Sequence, residues 1–291
     1  MASALLIVNP FASRVTEAAV DAVAAELGDV DVRITERAGH ATDLAREADG
    51  NVEAIYVLSG DGGYNEVLNG VGGGTPLGFV PGGGANVLPR ALGLPRDPVE
   101  AARRLRAGQP RRISLGRVNG RRFGFSAGVG LDAELVRRVD ALGRTQERGR
   151  AGNAAFALAA ARLLAERRSR LDPVLEIRGH GRAAFALVAN CDPYSYIGAA
   201  PLHVAPLARF DLGLDLVGPR RVRARSLPRF VYFVLRGRGQ ERAADIVYGH
   251  DLDRIELVCD APLPLQADGE DLGDVVEAVF EAERDAVTVL T

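Results

Sequence analysis

Lysine is absent from this chain: all 36 basic residues are arginine. A Walker A phosphate loop, which places a lysine on the phosphates, is thereby excluded. Schiff-base chemistry on a lysine is excluded with it. We read the all-arginine usage as that of a GC-rich genome rather than of a mechanism. Cysteine is nearly absent too. Cys191 and Cys259 are too few for a disulfide framework or a cysteine-based zinc site, so a reducing cytoplasm is the expected setting. No window of about 18 uninterrupted apolar residues occurs, so no transmembrane helix is expected. The segment Met1–Pro10 lacks the basic leader and apolar length of a signal peptide and reads as a first strand. An excess of one charge is also missing. The net charge is −2, so the molecule as a whole does not attract nucleic acid, and an anionic surface must be met by a local patch.

What is present fits a globular protein. The 291 residues suffice for two domains, with 47% hydrophobic and 25% charged residues. The first hundred residues alternate between strand and helix patterns. Ala4–Val8 is an apolar run closed by Asn9-Pro10, and Thr16–Leu27 has helical spacing with Thr16 as cap. Val30–Thr35, Ala54–Leu58 and Leu77–Val80 read as strands, and Ala41–Ala48, Tyr64–Asn69 and Ala85–Leu92 as helices. Such alternation predicts a parallel sheet covered on both faces, with ligands at the carboxyl ends of its strands. Asn9-Pro10, Ser59–Gly63 and Pro81–Asn86 all fall at that edge.

After Gln109-Pro110 the pattern changes. Arg112–Leu115 and Arg122–Ala127 read as paired strands, followed by helices over Asp132–Leu142 and Asn153–Arg167. From Pro173 onward short strands dominate: Val174–Ile177, Ala183–Ala189, His203–Ala205, Leu214–Val217, Ala244–Val247, Arg254–Val258 and Val275–Phe280. The expectation is an α/β nucleotide-binding domain over 1–110 and a β-rich antiparallel sandwich domain over 111–291, with the last strand free to pack back on the first domain.

Two glycine loops carry the chemistry. Ser59-Gly60-Asp61-Gly62-Gly63 follows an apolar strand and precedes a helix. Glycines let the backbone approach a phosphate, and the helix start turns free N–H groups toward it. Asp61 within the loop would repel a bare phosphate, which points to a magnesium–nucleotide complex. A strand-to-helix turn without ligand is the alternative. The dinucleotide pattern G-x-G-x-x-G fails, because its sixth position is Asn65. Pro81-Gly82-Gly83-Gly84-Ala85-Asn86 has the same setting, so the two loops can form two walls of one site.

The block S-G-D-G-G-Y-N-E-V-L-N-G, Ser59–Gly70, resembles the G-G-D-G-T-x-N-E-V-x-N-G block of the diacylglycerol kinase catalytic domain. L-G-F-V-P-G-G-G-A-N-V-L-P-R-A-L-G-L-P resembles that family's L-G-x-x-P-x-G-T-x-N-D-x-A-R-x-L-G-I-P, Asn9-Pro10 its N-P turn, and Asp268-Gly269-Glu270 its D-G-E. The resemblance runs over essentially the whole chain in order, with bacterial soluble lipid kinases and sphingosine kinases nearest. It implies that Gly60, Asp61, Gly62, Gly63, Asn65 and Glu66 contact ATP and its Mg2+, together with Asn9, Gly83, Gly84 and Asn86. It implies that Thr35, in I-T-E-R-A-G-H-A, is the family's nucleotide-contacting threonine. Glu270 would be the catalytic base that takes the proton from a lipid hydroxyl, with Asp61 beside the transferred phosphate. Without that pattern, Asp268-Gly269 reads as a hairpin turn on the surface. The departures are specific. Gly63 and Gly84 replace the two loop threonines, so nucleotide contacts would rest on backbone N–H groups. Val87 replaces the aspartate after the loop asparagine, and Ser114 an aspartate at the start of the second domain. The D-D-G-L-L-D-L segment is shortened to Asp211-Leu-Gly-Leu-Asp-Leu, leaving Asp211 as the candidate metal ligand and Asp215 as support for the active site.

Residues 216–240 hold seven arginines and no acid, with Phe230, Tyr232, Phe233 and Leu235 interleaved. This 219–238 segment reads either as a patch for anionic lipid at the inner membrane face or as a solvated face. His40, His180, His203 and His250 lack the paired spacing of a zinc helix. Asn153–Arg167 serves core packing or lines acyl chains. The expectation is thus a cytoplasmic two-domain lipid kinase with a nucleotide cleft between its domains and a lipid substrate at the membrane surface. No nucleic-acid partner is expected, and homodimerisation is left open. The alternatives are an NAD kinase, whose G-G-D-G loop is similar but whose N-E pair usually lies far downstream, and a catalytically silent lipid- or nucleotide-binding protein.

Overall fold

The structure is a computed structural model that describes residues 3–141, 159, 162, 163, 165, 166 and 170–291. It divides into two compact units. The first comprises the described residues up to Leu115 together with Arg284–Thr291, and the second lies between Gly116 and Glu283.

The first unit is built from β1 (Ala4–Val8), α1 (Glu17–Leu27), β2 (Val30–Ile34), α2 (His40–Ala48), β3 (Ala54–Ser59), α3 (Asp61–Gly70), β4 (Leu77–Pro81), α4 (Val87–Ala91), α5 (Pro98–Arg106) and the start of β5 (Pro110–Val118). Its strands run parallel in the order β2-β1-β3-β4. β1, β3 and β4 are buried throughout, which is why they read as continuous apolar runs; β2, at the edge, is half exposed. Two helices, α1 and α5, start at a residue whose own side chain caps them. Thr16 Oγ1 accepts from the Ala19 amide at 3.2 Å, and Asp97 Oδ1 accepts from the amides of Val99 and Glu100, with Pro98 in the first turn. The register sets Val8 opposite Ile34 and Leu58, and Ser59 opposite Pro81. Parallel strands in this register bring Asn9, Thr35, Gly60 and Gly82 to one edge.

The second unit contains the end of β5, then β6 (Arg121–Phe123), β7 (Ser126–Val129), α6 (Leu131–Ala141), β8 (Leu175–Ile177), β9 (Gly181–Ala183), β10 (Ala186–Ala189), β11 (Ser195–Ile197), β12 (Ala200–Leu202), β13 (Leu214–Pro219), α7 (Leu227–Arg236), β14 (Ile246–Leu252), β15 (Arg254–Ala267) and most of β16 (Glu270–Leu290). Strands pair antiparallel in the order β14-β13-β10-β7-β15-β16, with β8 and β9 added to the first half of β15. Its core packs Phe123 edge-on to Phe280, 6.5 Å between ring centroids, among Leu175, Leu214, Leu257 and Ala278. The expected order, an α/β unit followed by a β-rich antiparallel one, is what the chain adopts.

Three details refine or differ from the expected elements. The chain leaves the first unit inside β5, at Leu115, and returns inside β16, at Arg284. There Val289 pairs in parallel with Leu77, and Thr291 and Gln109 exchange backbone hydrogen bonds. Second, β15 and β16 are much longer than Arg254–Val258 and Val275–Phe280. Asp260, Ala261 and Pro262 are exposed and the register shifts between Val258 and Leu263, so no apolar alternation marks the continuation. Third, no strand forms at His203–Ala205; the local pair is β11 with β12. The helix expected over Asn153–Arg167 lies largely outside the described residues. Among the described residues no helix is long and apolar enough to cross a membrane.

Candidate functional site

In the first unit the two glycine loops meet backbone to backbone. A Cβ added to Gly83 would stand 2.7 Å from the Gly60 Cα, and one on Gly60 3.4 Å from the Gly83 Cα. Only glycine at residue 83 permits this approach. The junction is held by bonds of known partners. The Gly82 amide donates to the Ser59 carbonyl at 2.7 Å, and Tyr64 Oη donates to the carbonyls of Ser59, at 2.6 Å, and Val80, at 2.8 Å. Tyr64 is fully enclosed against Phe79, and burial holds its phenol far above the ordinary range. Asn86 adopts left-handed backbone, φ 49°, and closes the second loop with its own amide: Gly83 N–H donates to Oδ1 at 2.9 Å, and Nδ2 donates to the Gly83 carbonyl at 2.7 Å.

Asp61 has a defined task here. Its Oδ1 accepts from the Val87 amide at 2.7 Å and the Leu88 amide at 3.4 Å. The carboxylate of the first loop therefore caps the helix that follows the second, and the charge meets the positive end of α4. Glu66 acts similarly on α2. Its Oε2 accepts from the Ala41 amide at 3.2 Å, while Thr42 Oγ1 donates to the Glu66 carbonyl at 2.8 Å. Asn65 is fully buried and bonded to the Asn69 side chain. The Gly63 amide is part of the first turn of α3, bonded to the Gly60 carbonyl at 3.0 Å. At the neighbouring strand ends, Asn9 Oδ1 accepts from the Phe11 amide at 3.0 Å, and Thr35 is buried with its amide on the Val8 carbonyl. Asn9, Thr35, Gly60–Glu66 and Gly83–Asn86 thus all belong to the carboxyl edge of one sheet or to the helices it launches. Among the described residues nothing lies within 4 Å of a Cβ added to Gly84, so that loop tip is open among them.

In the second unit Asp268-Gly269 is a two-residue hairpin turn between β15 and β16, with φ 49° and 76° and Ala267 opposite Glu270. It is no surface turn. Asp268 is 2% exposed, and its carboxylate accepts from the amides of Gly124, Phe125 and Ser126 at 2.6, 3.0 and 3.2 Å. Glu270, next in sequence, is held by Arg121 of β6, whose guanidinium donates to Oε2 at 2.6 Å. The pair is partly exposed, so it positions the carboxylate more than it stabilises the fold.

The same unit contains a cavity of about 220 Å³ with almost wholly apolar walls, among them Leu131, Leu135, Leu163, Phe185, Leu187 and Val234. Its polar lining residues are Asp132 and Tyr194. Tyr194 Oη donates to Asp132 Oδ1, and Gln266 Nε2 donates to Oδ2 at 2.5 Å. Burial pushes the Asp132 carboxyl up from the usual range, and these two bonds oppose the rise. Sequence reasoning did not single out Asp132 or Tyr194. The only signal was an acid at the start of a helix after a glycine-rich strand, which is also the ordinary place for an acid. Leu163, from the stretch read as packing or acyl lining, is one of the walls.

The metal ligand suggested by resemblance fits poorly. Both oxygens of Asp211 bond to Arg209, at 3.0 and 2.6 Å. Among the described residues no group of three His, Cys, Asp or Glu side chains could hold a cation. Asp215 is fully buried, with Tyr248 Oη donating to Oδ2 and His250 Nδ1 lying 2.8 Å from Oδ1.

Residues 3–118 match the family model of the diacylglycerol kinase catalytic domain. Among individual relatives, the diacylglycerol kinase of Bacillus subtilis (strain 168) is 40% identical over 104 residues, 34% of this chain and 34% of that protein. That of Staphylococcus saprophyticus is 37% identical over 93 residues, 31% of this chain and 30% of that one. The chain thus matches about a third of the length of these curated relatives. Two solved structures share the fold along nearly the whole chain. A diacylglycerol kinase from Bacillus anthracis str. Sterne covers 99% of it, and 96% of that chain is matched, with a TM-score of 0.74 at 20% identity. An NAD kinase from Archaeoglobus fulgidus in complex with ATP covers 99%, and 93% of that chain, with a TM-score of 0.52 at 13% identity.

Proposed function

We propose that this chain is an ATP-dependent lipid kinase that transfers a γ-phosphoryl group to the hydroxyl of diacylglycerol or a related lipid. The observation that carries the reading is the closure of Gly60 on Gly83 at the carboxyl edge of the parallel sheet, in a segment matching the diacylglycerol kinase catalytic domain. Two glycine loops joined in this way set the start of α3 beside the open tip at Gly84, where phosphates can be held. MgATP enters as co-substrate. Phosphoryl transfer asks mainly for positioning and for one group to orient the nucleophile. Asp61 braces the two loops, Glu270 takes the proton from the lipid hydroxyl, and Asp268 fixes the turn from which Glu270 projects. The apolar cavity, with one carboxyl and one phenol in its wall, suits a chain with a polar head.

The NAD kinase alternative shares the fold, yet Asn65-Glu66 here continues the first loop directly. The silent-binder alternative draws on Gly63 and Gly84. One experiment separates the three: incubation with radiolabelled ATP over a panel of diacylglycerol, sphingoid base, phosphatidylglycerol and NAD. Label in one of the lipids is expected. Label only in NADP installs the NAD kinase, and nucleotide binding without any labelled product installs the silent binder.

The substrate resides in a membrane, and α7 offers the face that meets it. Val231, Tyr232 and Leu235 are 56%, 49% and 53% exposed on one side of this helix. On its other side Phe230 and Phe233 pack on Ala189, Ala205 and Val217, and Val234 lines the cavity. Arg229 pairs with Asp245, whereas Arg225, Arg236 and Arg238 are exposed with no partner among the described residues. Each such cation contributes about 1 kcal/mol near anionic lipid. Replacing these three arginines by alanine is expected to weaken co-sedimentation with phosphatidylglycerol vesicles by about two orders of magnitude. Activity on a short-chain lipid free in solution should be retained. Equal binding of variant and wild type would remove α7 from the membrane contact.

A further inference from the structure

The end of β3 carries a side chain that bonds nothing among the described residues. Ser59 is 1% exposed, and its Oγ has no hydrogen-bond partner among them. Its backbone carbonyl is fully engaged by Tyr64 and Gly82, so the residue is fixed in place. A buried hydroxyl without a partner destabilises a fold, and alanine would avoid that cost.

The position of this hydroxyl is informative. A Cβ added to Gly63 would collide with Ser59 Oγ and stand 2.8 Å from Ser59 Cβ, with Asn9 Nδ2 at 3.9 Å. Ser59 Oγ therefore fills the space from which a side chain at residue 63 would start. The resembling loop, G-G-D-G-T, has glycine where this chain has Ser59 and threonine where it has Gly63. The two positions are exchanged between that pattern and this chain: the hydroxyl stands on the last residue of the strand rather than in the first turn of the helix, and a side chain at one position excludes one at the other. Gly84, the second missing threonine, shows no such exchange, since nothing among the described residues lies within 4 Å of its added Cβ.

We infer that Ser59 is a nucleotide-contacting residue whose hydroxyl donates to a phosphate oxygen of ATP, in place of the side chain that Gly63 lacks. The inference rests on the kinase reading above. Serine χ1 has three staggered wells, so Oγ can turn toward a ligand beside Gly63 and Asn9 without any change in the backbone. A phosphate oxygen then supplies the missing partner, and a hydrogen bond to a charged acceptor is among the stronger kinds.

The test uses the full chain and two measurements, the thermal midpoint and MgATP affinity by calorimetry. Ser59→Ala is expected to keep or raise the midpoint while weakening MgATP about tenfold or more. A purely structural serine would not move the two readouts in opposite directions. Gly63→Ser alone should lower the midpoint, because it collides with Ser59, and the double variant Ser59→Gly/Gly63→Ser should recover both midpoint and affinity. Wild-type affinity in Ser59→Ala would overturn the inference and leave the kinase reading standing. An unchanged midpoint in Gly63→Ser would overturn the exchange. A wild type that binds no MgATP would overturn both the inference and the kinase reading.

Discussion

Replacing Glu270 by glutamine is expected, on the proposed lipid-kinase reading, to lower kcat for lipid phosphorylation by about two to four orders of magnitude, the range for losing a positioned general base. The amide keeps the shape and still accepts from Arg121, so the turn Asp268-Gly269 and the pairing of Ala267 with Glu270 should persist. The variant loses the ability to take a proton and little else. Three readouts define the result. Turnover on a lipid panel should collapse, MgATP affinity should stay within about twofold, and the thermal midpoint should remain close to that of the wild type. Turnover within a factor of a few of the wild type would move the base elsewhere. Asp61 is a poorer choice for such a test: its Oδ1 caps α4, so its removal disturbs the loops as well as any chemistry.

The largest loss of stability is expected at Asp268. Its carboxylate receives three backbone N–H groups from Gly124–Ser126 and is itself almost fully buried. Asp268→Ala leaves three donors without an acceptor in a site that water does not reach. Each unsatisfied buried group costs about 1–3 kcal/mol, so the total falls at about 3–5 kcal/mol after local relaxation. Denaturant unfolding of the variant should show that loss, and hydrogen exchange should place it at Gly124–Ser126. Activity should fall with it, because the turn that projects Glu270 loses its anchor. A midpoint unchanged from the wild type would mean that these amides find other acceptors.

Much of the first unit is legible in the sequence because its signals are local. Fully buried parallel strands leave continuous apolar runs, and Ser59–Gly63 and Pro81–Asn86 announce turns into helices within a few residues. That the two loops touch is not legible, since it depends on the register of β3 against β4. The hydroxyl at Ser59 is a sharper case. Reading along the chain shows Gly63 as a loss, whereas only the fold brings Ser59 into the vacated space. The second unit resists reading for the same reason on a larger scale. Asp132 meets Tyr194, 62 positions away, and Gln266, 134 positions away. Asp268 was legible as a turn residue, but its burial depends on three amides more than 140 positions earlier. The lengths of β15 and β16 were hidden by exposed charges within them, where pairing rather than apolar alternation defines the strand.

The end of β16 has a consequence for how the protein is made. Val287 and Val289 are fully buried, and Val289 pairs with Leu77. The sheet that carries both glycine loops is therefore finished by residues that leave the ribosome more than 200 positions after β4. Closing so long a stretch of chain is entropically costly and slow compared with local pairing. During synthesis the unit that carries the glycine loops waits, with one edge of β4 unpaired, until the segment around Val289 has emerged. A nascent chain arrested before Arg284 should resist protease poorly in residues 3–115, and a chain that extends through Thr291 well.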